Sequence, residues 1–293
     1  MGLTRRRFLL AACAGGLASE LSAQALRWQG TALGARAQIR MVHPEADRLT
    51  RHAVAEISRL ERIFSLYGDS ELTRLNRDGR LVAPSFELLD CLAVARRAHD
   101  VTGGLFDPTV QPLWLALAEG GDVNAARDGI GFDRVRFDTS EVRLERGQAL
   151  TLNGIAQGYV ADRIAALLRA EGVADVLVDT GEISARGKPQ AQPGWPVRIA
   201  RTERRLMLRD RALATSATLG TVLDAAGRQG HILHPTGAPV PDRQVSISAT
   251  SAAMADALST GLCLVTGEAE VRACLARVEG ARLEAILNDP TET

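Results

Sequence analysis

The stretch at residues 151–188 constrains the fold most, because it combines a helix, a strand and two glycine turns. Apolar residues recur at three- and four-residue spacing over residues 155–168, which predicts a half-buried helix. Asn153 is its predicted N-cap and Gly172 its predicted stop. A β-branched run at residues 173–178 then predicts a strand that ends in the second glycine turn. One helix would thus bring two turns with exposed backbone close together.

Two glycines, Gly154 and Gly158, lie where this helix begins. Without side chains there, a ligand could approach the backbone, and free N–H groups at a helix start attract phosphate. The alternative is that both glycines pack tightly against a neighbouring strand. The spacing is neither the dinucleotide-binding nor the P-loop pattern, so it leaves both interpretations open.

Further elements follow from apolar periodicity along the rest of the chain. Helices are predicted at residues 45–64, 84–102 and 250–261; strands at 26–42 with turns at Gly30 and Gly34, and at 134–152, 195–200 and 206–208; and a loop with a short turn at 64–76. Helices alternating with hairpin-like strands predict an α+β fold, with mixed or antiparallel sheets flanked by helices.

Composition limits the classes of partner. Apolar residues make up 46% of the chain, which is ample for a core, and 35 basic residues balance 35 acidic ones. This balance gives no electrostatic reason to expect nucleic acid or a membrane surface as partner. We therefore expect an ordinary globular domain at residues 26–293.

The first 25 residues have the features of an export signal. Three arginines at residues 5–7 precede a short apolar run, and Ala23-Gln24-Ala25 forms a small-residue cleavage site. This pattern predicts twin-arginine export to a bacterial periplasm, with residues 1–25 removed. The sequence before Cys13 also resembles a lipobox, although its apolar region is short, and this leaves a loose membrane association open.

Asp256 and Thr260 form a candidate metal site. Thr250 or Ser251 would cap their helix, and a spacing of four places both side chains on one face. One carboxylate and one hydroxyl, with waters and a substrate phosphate, would suit Mg²⁺. The alternative is an exposed Asp256 and a Thr260 that bonds back to its own helix.

Three other residues are candidates for binding or catalysis. Tyr67, in a loop, could stack on a flat ligand or simply pack on the surface. Asp107 follows a glycine pair and precedes a proline, which holds it extended, though such residues also make plain turns. His231 lies in a loop rich in proline and glycine and could transfer protons near neutral pH, whereas lone loop histidines are usually just solvated.

Six short segments, in order along the chain, resemble the ApbE family of flavin transferases, which move FMN from FAD onto a threonine or serine of a partner protein. They are FSLY at 64–67, TGGLFDPT at 102–109, NGIAQGY at 153–159, ATS at 214–216, HI at 231–232 and ADALST at 255–260. The resemblance implies an ApbE-like fold, FAD as substrate, Mg²⁺ as cofactor and an exported or membrane flavoprotein as acceptor, with AMP released.

The resemblance also implies roles for particular residues. The Mg²⁺ ligands would be Asp256, Thr260 and the carbonyl of Gly154, with Asp256 also counted as catalytic. His231 would lie beside the reactive phosphate as the catalytic base. The residues implied to bind the flavin nucleotide are Leu33, Tyr67, Leu105, Phe106, Asp107, Thr151, Gln157 and Ile232.

Departures from the family pattern mark a divergent member of the NGIAQGY type. Thr151 stands where an aspartate is usual, Gln157 replaces a lysine, and the loop at His234 lacks the usual aspartate. Two alternative functions stay open: a Mg²⁺-dependent FAD pyrophosphatase that uses water as nucleophile, and a periplasmic FAD-binding protein without catalysis.

Overall fold

The computed structural model describes residues 26–189, 191–224, 226–227 and 229–288. The predicted leader, with Cys13, lies outside them. Within the described residues, helices combine with antiparallel sheets, which confirms the predicted α+β class.

Twelve strands form three sheets in the part of the chain that the structure describes. The strands are β1 Leu26–Ala32, β2 Ala35–Met41, β3 Arg80–Val82, β4 Arg136–Phe137, β5 Glu141–Arg143, β6 Val176–Asp179, β7 Ile183–Arg186, β8 Trp195–Arg198, β9 Arg205–Leu208, β10 Arg211–Ala217, β11 Arg243–Ala249 and β12 Arg282–Asn288. The main sheet has the order β1-β2-β6-β7-β10-β11-β12, and every neighbouring pair in it is antiparallel. The strands β3-β5-β4 form a second sheet, and β8 pairs with β9 in a third.

Eight helices accompany these sheets over the same described residues. They are α1 Ala46–Phe64, α2 Glu71–Asp78, α3 Phe86–Val101, α4 Gln111–Glu119, α5 Val123–Asp128, α6 Ala156–Ala170, α7 Ala252–Leu262 and α8 Glu268–Leu275. The predictions of α1, α3, α6 and α7 are confirmed. Among the described helices, none combines the length and apolarity needed to cross a membrane.

Three local predictions were wrong. The α6 N-cap is Ile155 rather than Asn153, and it makes no side-chain cap hydrogen bond. Gly30 lies within β1, where a Cβ would meet the ring of Trp28, so the hairpin turns at Leu33 and Gly34. The segment after α1 is not only a loop, because Ser70 and Thr73 form a capping box that begins α2.

The main sheet is buried on both faces. Successive side chains of a strand point to opposite faces, so Val176 and Val178 of β6 pack under the helices while Leu177 packs under β8 and β9. Trp195 of β8 is 1% exposed and fills the second, smaller core. The helical face carries the larger core, and the candidate site lies on that face.

Helices α6 and α7 run antiparallel and in close contact. A Cβ on Gly158 would lie 2.2 Å from the carbonyl oxygen of Ala252, and a Cβ on Gly154 would lie 2.9 Å from the Thr260 hydroxyl. Both contacts are too short for any residue with a side chain, so the two glycines allow this approach. Close packing, the structural alternative for these glycines, is therefore confirmed, although against a helix instead of a strand.

Candidate active site

Asp256 is the buried centre of the site. It is 3% exposed, and the amide of Gly158 donates to its Oδ2 at 3.2 Å. No N–H or O–H group of the described residues donates to its Oδ1. Burial raises the pKa of Asp256 to about 7, against the lowering effect of the Gly158 bond. This carboxylate therefore has an acceptor to spare for a ligand.

Thr260 lies one helical turn beyond Asp256 on α7, as the spacing predicted. Its Oγ1 lies beside the backbone of Gly154, because a Cβ on that glycine would approach it to 2.9 Å. Thr260 is half-buried, whereas Asp256 is buried. The structure thus places Gly154 against Thr260, one helical turn from Asp256, and their role as metal ligands stays a prediction.

A second carboxylate, Glu182, lies near this cluster and was missed by the sequence analysis. It is 8% exposed, and the amide of Thr215 on β10 donates to its Oε2 at 3.0 Å. Burial, and then the charge of Asp256, raise the pKa of Glu182 well above its usual value. The available signal was an acid placed directly after Gly181 in the turn between two buried strands.

The donor set suits a hard cation. Within the described residues, no ion pair reaches Asp256 or Glu182, and no three His, Cys, Asp or Glu side chains group closely enough to hold a metal. The available donors are a carboxylate, a hydroxyl and a backbone carbonyl. Mg²⁺ prefers oxygen ligands and takes few of them from protein, with substrate phosphate completing the set. The residues fit Mg²⁺ better than zinc, which favours Cys and His.

His231 lies in the predicted loop, just beyond β10. Its Nδ1 is 3.0 Å from the carbonyl oxygen and 3.2 Å from the amide nitrogen of Thr221. Burial lowers the pKa of His231, so the ring is neutral at pH 7. In one neutral tautomer the Thr221 amide donates to Nδ1; in the other, Nδ1 donates to the Thr221 carbonyl and Nε2 is left as the acceptor for a second proton.

The loop that contains Leu105, Phe106 and Asp107 is fixed against α7. Phe106 is buried, and a Cβ placed on Gly261 would lie 2.9 Å from the Cβ of Phe106. The Asp107 Oδ1 accepts from the amide of Thr109, and its Oδ2 accepts from the amide of Phe132. Phe106 and Asp107 therefore hold the shape of this loop with their side chains, and half-buried Leu105 lies beside them.

Three further predicted nucleotide contacts lie around α6. The amide of Thr151 donates to the Pro108 carbonyl at 2.8 Å, which ties the α6 entry to the neighbouring loop. The side chain of Gln157 lies against the backbone of Gly181, where a Cβ would come within 2.9 Å of it. Ile232 is buried and packs in the main core.

Leu33 and Tyr67 lie close to the last turn of α1. The amide of Leu33, whose φ is +48°, donates to Oε1 of Glu61 at 2.8 Å. Tyr67 is 70% exposed in the loop that leaves α1, and Phe64 before it packs edge-on against Tyr159 of α6 at 5.4 Å. The contact of Leu33 and Tyr67 with a flavin stays a prediction.

One interpretation of the sequence was that free amides at the start of α6 bind a phosphate. In the structure, three of these amides already have acceptors within the protein. The amide of Ala156 donates to the Leu152 carbonyl, that of Gly158 to Asp256 and that of Tyr159 to the Ile155 carbonyl. A carboxylate of α7, that of Asp256, thus accepts an amide hydrogen in the first turn of α6. An anion would be held here through a cation instead of through these amides.

Comparison with known proteins identifies a family for the chain. The profile of the ApbE family matches residues 33–287. The chain is 27% identical to an FAD:protein FMN transferase of Vibrio cholerae, over 89% of this chain and 85% of the relative. A second relative of the same name, from Salmonella typhimurium, is 28% identical over 78% of this chain and 73% of its own length.

Solved structures share the fold. The flavin transferase ApbE from Vibrio cholerae superposes with a TM-score of 0.73 at 26% identity, covering 85% of this chain and 89% of its own. The ApbE protein from Thermotoga maritima gives a TM-score of 0.78 at 23% identity, over 91% of this chain and 97% of its own. The similarity extends across almost all of the described residues.

Proposed function

The chain belongs to the ApbE family, and we propose that it is an FAD:protein FMN transferase that attaches FMN from FAD to a threonine or serine of an acceptor flavoprotein and releases AMP. The observation that carries this proposal is the cluster of Asp256, Thr260 and the Gly154 backbone, with His231 beyond the adjacent strand.

Asp256, Thr260 and the Gly154 carbonyl would hold Mg²⁺ in this reaction. The spare Oδ1 of Asp256 and the Thr260 hydroxyl beside Gly154 support this assignment. When bound, the cation would neutralise the diphosphate of FAD and make AMP a better leaving group. Glu182 is buried nearby without a cationic partner among the described residues, and its raised pKa favours the neutral form, so it would carry charge only where a bound cation stabilised the carboxylate.

His231 would take the proton of the acceptor hydroxyl. The hydroxyl oxygen forms a bond to the phosphorus of the FMN half, the bond from that phosphorus to the bridging oxygen breaks, and AMP leaves with the electron pair. The proton passes to Nε2 of His231, which the lowered pKa keeps neutral beforehand. Tyr67, exposed at the edge of α1, would rest against the flavin ring.

Transfer is tested by incubating the purified protein with FAD, Mg²⁺ and a candidate acceptor, and searching the acceptor for an FMN adduct on Thr or Ser by mass spectrometry. We expect the adduct together with an equal amount of AMP. FMN and AMP formed without any acceptor would instead identify an FAD pyrophosphatase, and tight FAD binding without either reaction would identify a binding protein.

Replacing the proposed base tests the assignment of His231. His231→Gln should reduce the rate of transfer by about 100-fold or more, since general-base catalysis contributes that much. With Mg²⁺ saturating, so that Asp256 stays ionised, the reaction of the unchanged protein should also persist below the ordinary His pKa of 6.5, because burial lowers the pKa of this ring. A wild-type rate in His231→Gln would exclude this residue as the base.

Export is a separate part of the proposal and rests on the leader sequence alone. We propose that residues 1–25 direct twin-arginine export to a periplasm, where the acceptor would also be located. Replacing Arg5 and Arg6 by lysine should retain the precursor in the cytoplasm. N-terminal sequencing of the exported protein would decide between cleavage after Ala25 and lipid modification of Cys13.

A further inference from the structure

A row of hydroxyl groups leads from Thr260 into the protein interior. The Thr260 Oγ1 lies 3.1 Å from the Oγ of Ser216, which lies 2.7 Å from the Oγ of Ser259. Ser259 in turn lies 3.0 Å from the main-chain carbonyl oxygen of Asp256. The row therefore begins at one proposed metal ligand and ends on the backbone of the other.

The last member of this row fixes the direction of every hydrogen bond in it. A carbonyl oxygen can only accept, and each hydroxyl carries one hydrogen. The Ser259 hydroxyl donates its hydrogen to the Asp256 carbonyl, so its oxygen must accept from Ser216. Ser216 has then donated its own hydrogen and must accept from Thr260. The Thr260 hydrogen consequently points into the row, at Ser216.

This direction matters because a hydroxyl binds a cation through a lone pair. A hydroxyl whose hydrogen is held by another acceptor has its remaining lone pair free for a cation, and the Thr260 hydroxyl lies beside Gly154. A freely rotating hydroxyl would instead point its hydrogen at the cation in part of its conformations. Partners that orient a metal ligand in this way commonly affect metal affinity by 10- to 100-fold.

We propose that Ser216 and Ser259 are positioning residues that orient the Thr260 hydroxyl toward a divalent cation. Neither side chain would touch the cation or FAD. The inference rests on the proposed function, because it takes Thr260 to be a cation ligand. It adds that β10, through Ser216, helps to build a metal site whose ligands lie on α7 and at the start of α6.

The position of the two serines suits this role. Ser259 is fully buried on α7, and Ser216 is held in place on β10, where the thiol of Cys263 donates to its carbonyl at 3.2 Å. Removing the Ser259 hydroxyl would free the Ser216 hydrogen to turn toward Thr260. The Thr260 hydrogen could then point into the site, so this change should reverse the orientation as well as loosen it.

Titration of Mn²⁺ into the purified full chain, with free Mn²⁺ followed by electron paramagnetic resonance, tests the inference. Ser216→Ala and Ser259→Ala should each raise the Mn²⁺ dissociation constant by about 10-fold. Ser216→Thr keeps a hydroxyl on β10 and should restore most of the affinity. Thermal melts without metal should show that each variant remains folded.

Ser246→Ala is the matched control. Ser246 is as buried as Ser259 and shares a hydroxyl pair with Thr215 at 2.9 Å on the neighbouring strands, but among the described residues its hydroxyl makes no hydrogen bond to Ser216 or Thr260. It should bind Mn²⁺ like the unchanged protein. Equal weakening by Ser246→Ala, or unchanged affinity in Ser216→Ala and Ser259→Ala, would overturn the inference.

Asp256→Ala distinguishes this failure from failure of the metal site itself. If the unchanged protein binds Mn²⁺ and Asp256→Ala does not, the metal site stands and the serine variants decide the inference alone. If the unchanged protein does not bind Mn²⁺, or Asp256→Ala binds it equally well, the assignment of the metal ligands is wrong and the inference falls with it.

Discussion

Two aspartates in the α6–α7 pair have the same local role and different environments. Asp162 of α6 accepts at the start of α7, and Asp256 of α7 accepts at the start of α6. Asp162 Oδ2 accepts from the Ser251 hydroxyl and from the amides of Ala252 and Ala253. Among the described residues, Asp256 accepts from one amide only.

The second oxygen of each aspartate completes the contrast. Oδ1 of Asp162 accepts from the hydroxyl of Ser184 and from the guanidinium of Arg186 at 3.1 Å. Oδ1 of Asp256 receives no hydrogen bond from the described residues, and burial raises the pKa of that carboxyl to about 7. A saturated carboxylate stabilises the fold, whereas a buried one with spare acceptors and no cationic partner is suited to a bound cation.

The sharpest test compares Asp256→Asn with Asp162→Asn. Asp256→Asn should slow FMN transfer by at least about 1,000-fold, because a bound cation contributes several kcal/mol to such a reaction. Transfer is measured with saturating FAD and Mg²⁺ by the FMN adduct on the acceptor. Asp162→Asn, which changes the acceptor at the start of α7, should keep most of the activity of the folded protein. The opposite ranking of activities would show that the roles of the two aspartates have been assigned wrongly.

Stability should respond in the reverse order. Asp162→Ala leaves the donors of the α7 start without their acceptor, which should cost about 3 kcal/mol of unfolding free energy. Urea unfolding without metal measures this loss. Asp256→Ala should cost far less under the same conditions, since it also removes a poorly compensated buried charge. Equal losses of unfolding free energy in both variants would contradict a mainly structural role for Asp162.

The raised pKa of Asp256 should make the unfolding free energy depend on pH. Between the ordinary pKa of 3.8 and about 7, the folded chain keeps a proton on Asp256 that the unfolded chain releases. Without metal, the unfolding free energy should therefore fall as pH rises through this window, by at most about 1.4 kcal/mol per pH unit from this group.

Thermal melts in EDTA at about pH 5 and about pH 8 measure this fall, and Asp256→Asn should reduce it. Added Mg²⁺ should raise the melting temperature more at the higher pH, because the cation binds the charged carboxylate. The same pH dependence in Asp256→Asn and in the unchanged protein would contradict the raised pKa of Asp256.

Ser251→Ala gives the smallest expected effect. Ser251 caps α7 by accepting from the amide of Met254, and it also donates to Asp162. Loss of an N-cap side chain costs about 1 kcal/mol. Urea unfolding should show this loss, and Mn²⁺ affinity should not change because the cap lies at the end of α7 remote from Thr260. Weakened Mn²⁺ binding would mean that the two ends are coupled.

The long periodic elements could be predicted from sequence, and the short ones could not. The helices α1, α3, α6 and α7 each carry an apolar face over three turns or more. The short helices α2, α4, α5 and α8 have six to nine residues, which is too few for the periodicity to stand out. The capping box at Ser70 was the one local signal that could have revealed α2.

The site was only partly predictable for a related reason. Glu182 comes from the turn before β7, and its proximity to Asp256 depends on how α7 packs over the sheet. Asp107, by contrast, was correctly expected to be held by its loop, but the structure turns its carboxylate to the amides of Thr109 and Phe132. The partner of a polar group in another element is set by tertiary packing, which no local pattern contains.

The sequence by itself determined that Asp256 and Thr260 share one helix face, because a spacing of four residues is enough to fix it. It also determined the α+β class and the family. Only the tertiary structure decided that Gly158 gives its amide to Asp256, that Gly154 lies against Thr260 and that Ser216 joins the hydroxyl row. The physical reason is that spacing fixes directions within one element, whereas the partners of a buried carboxylate depend on which elements pack against it.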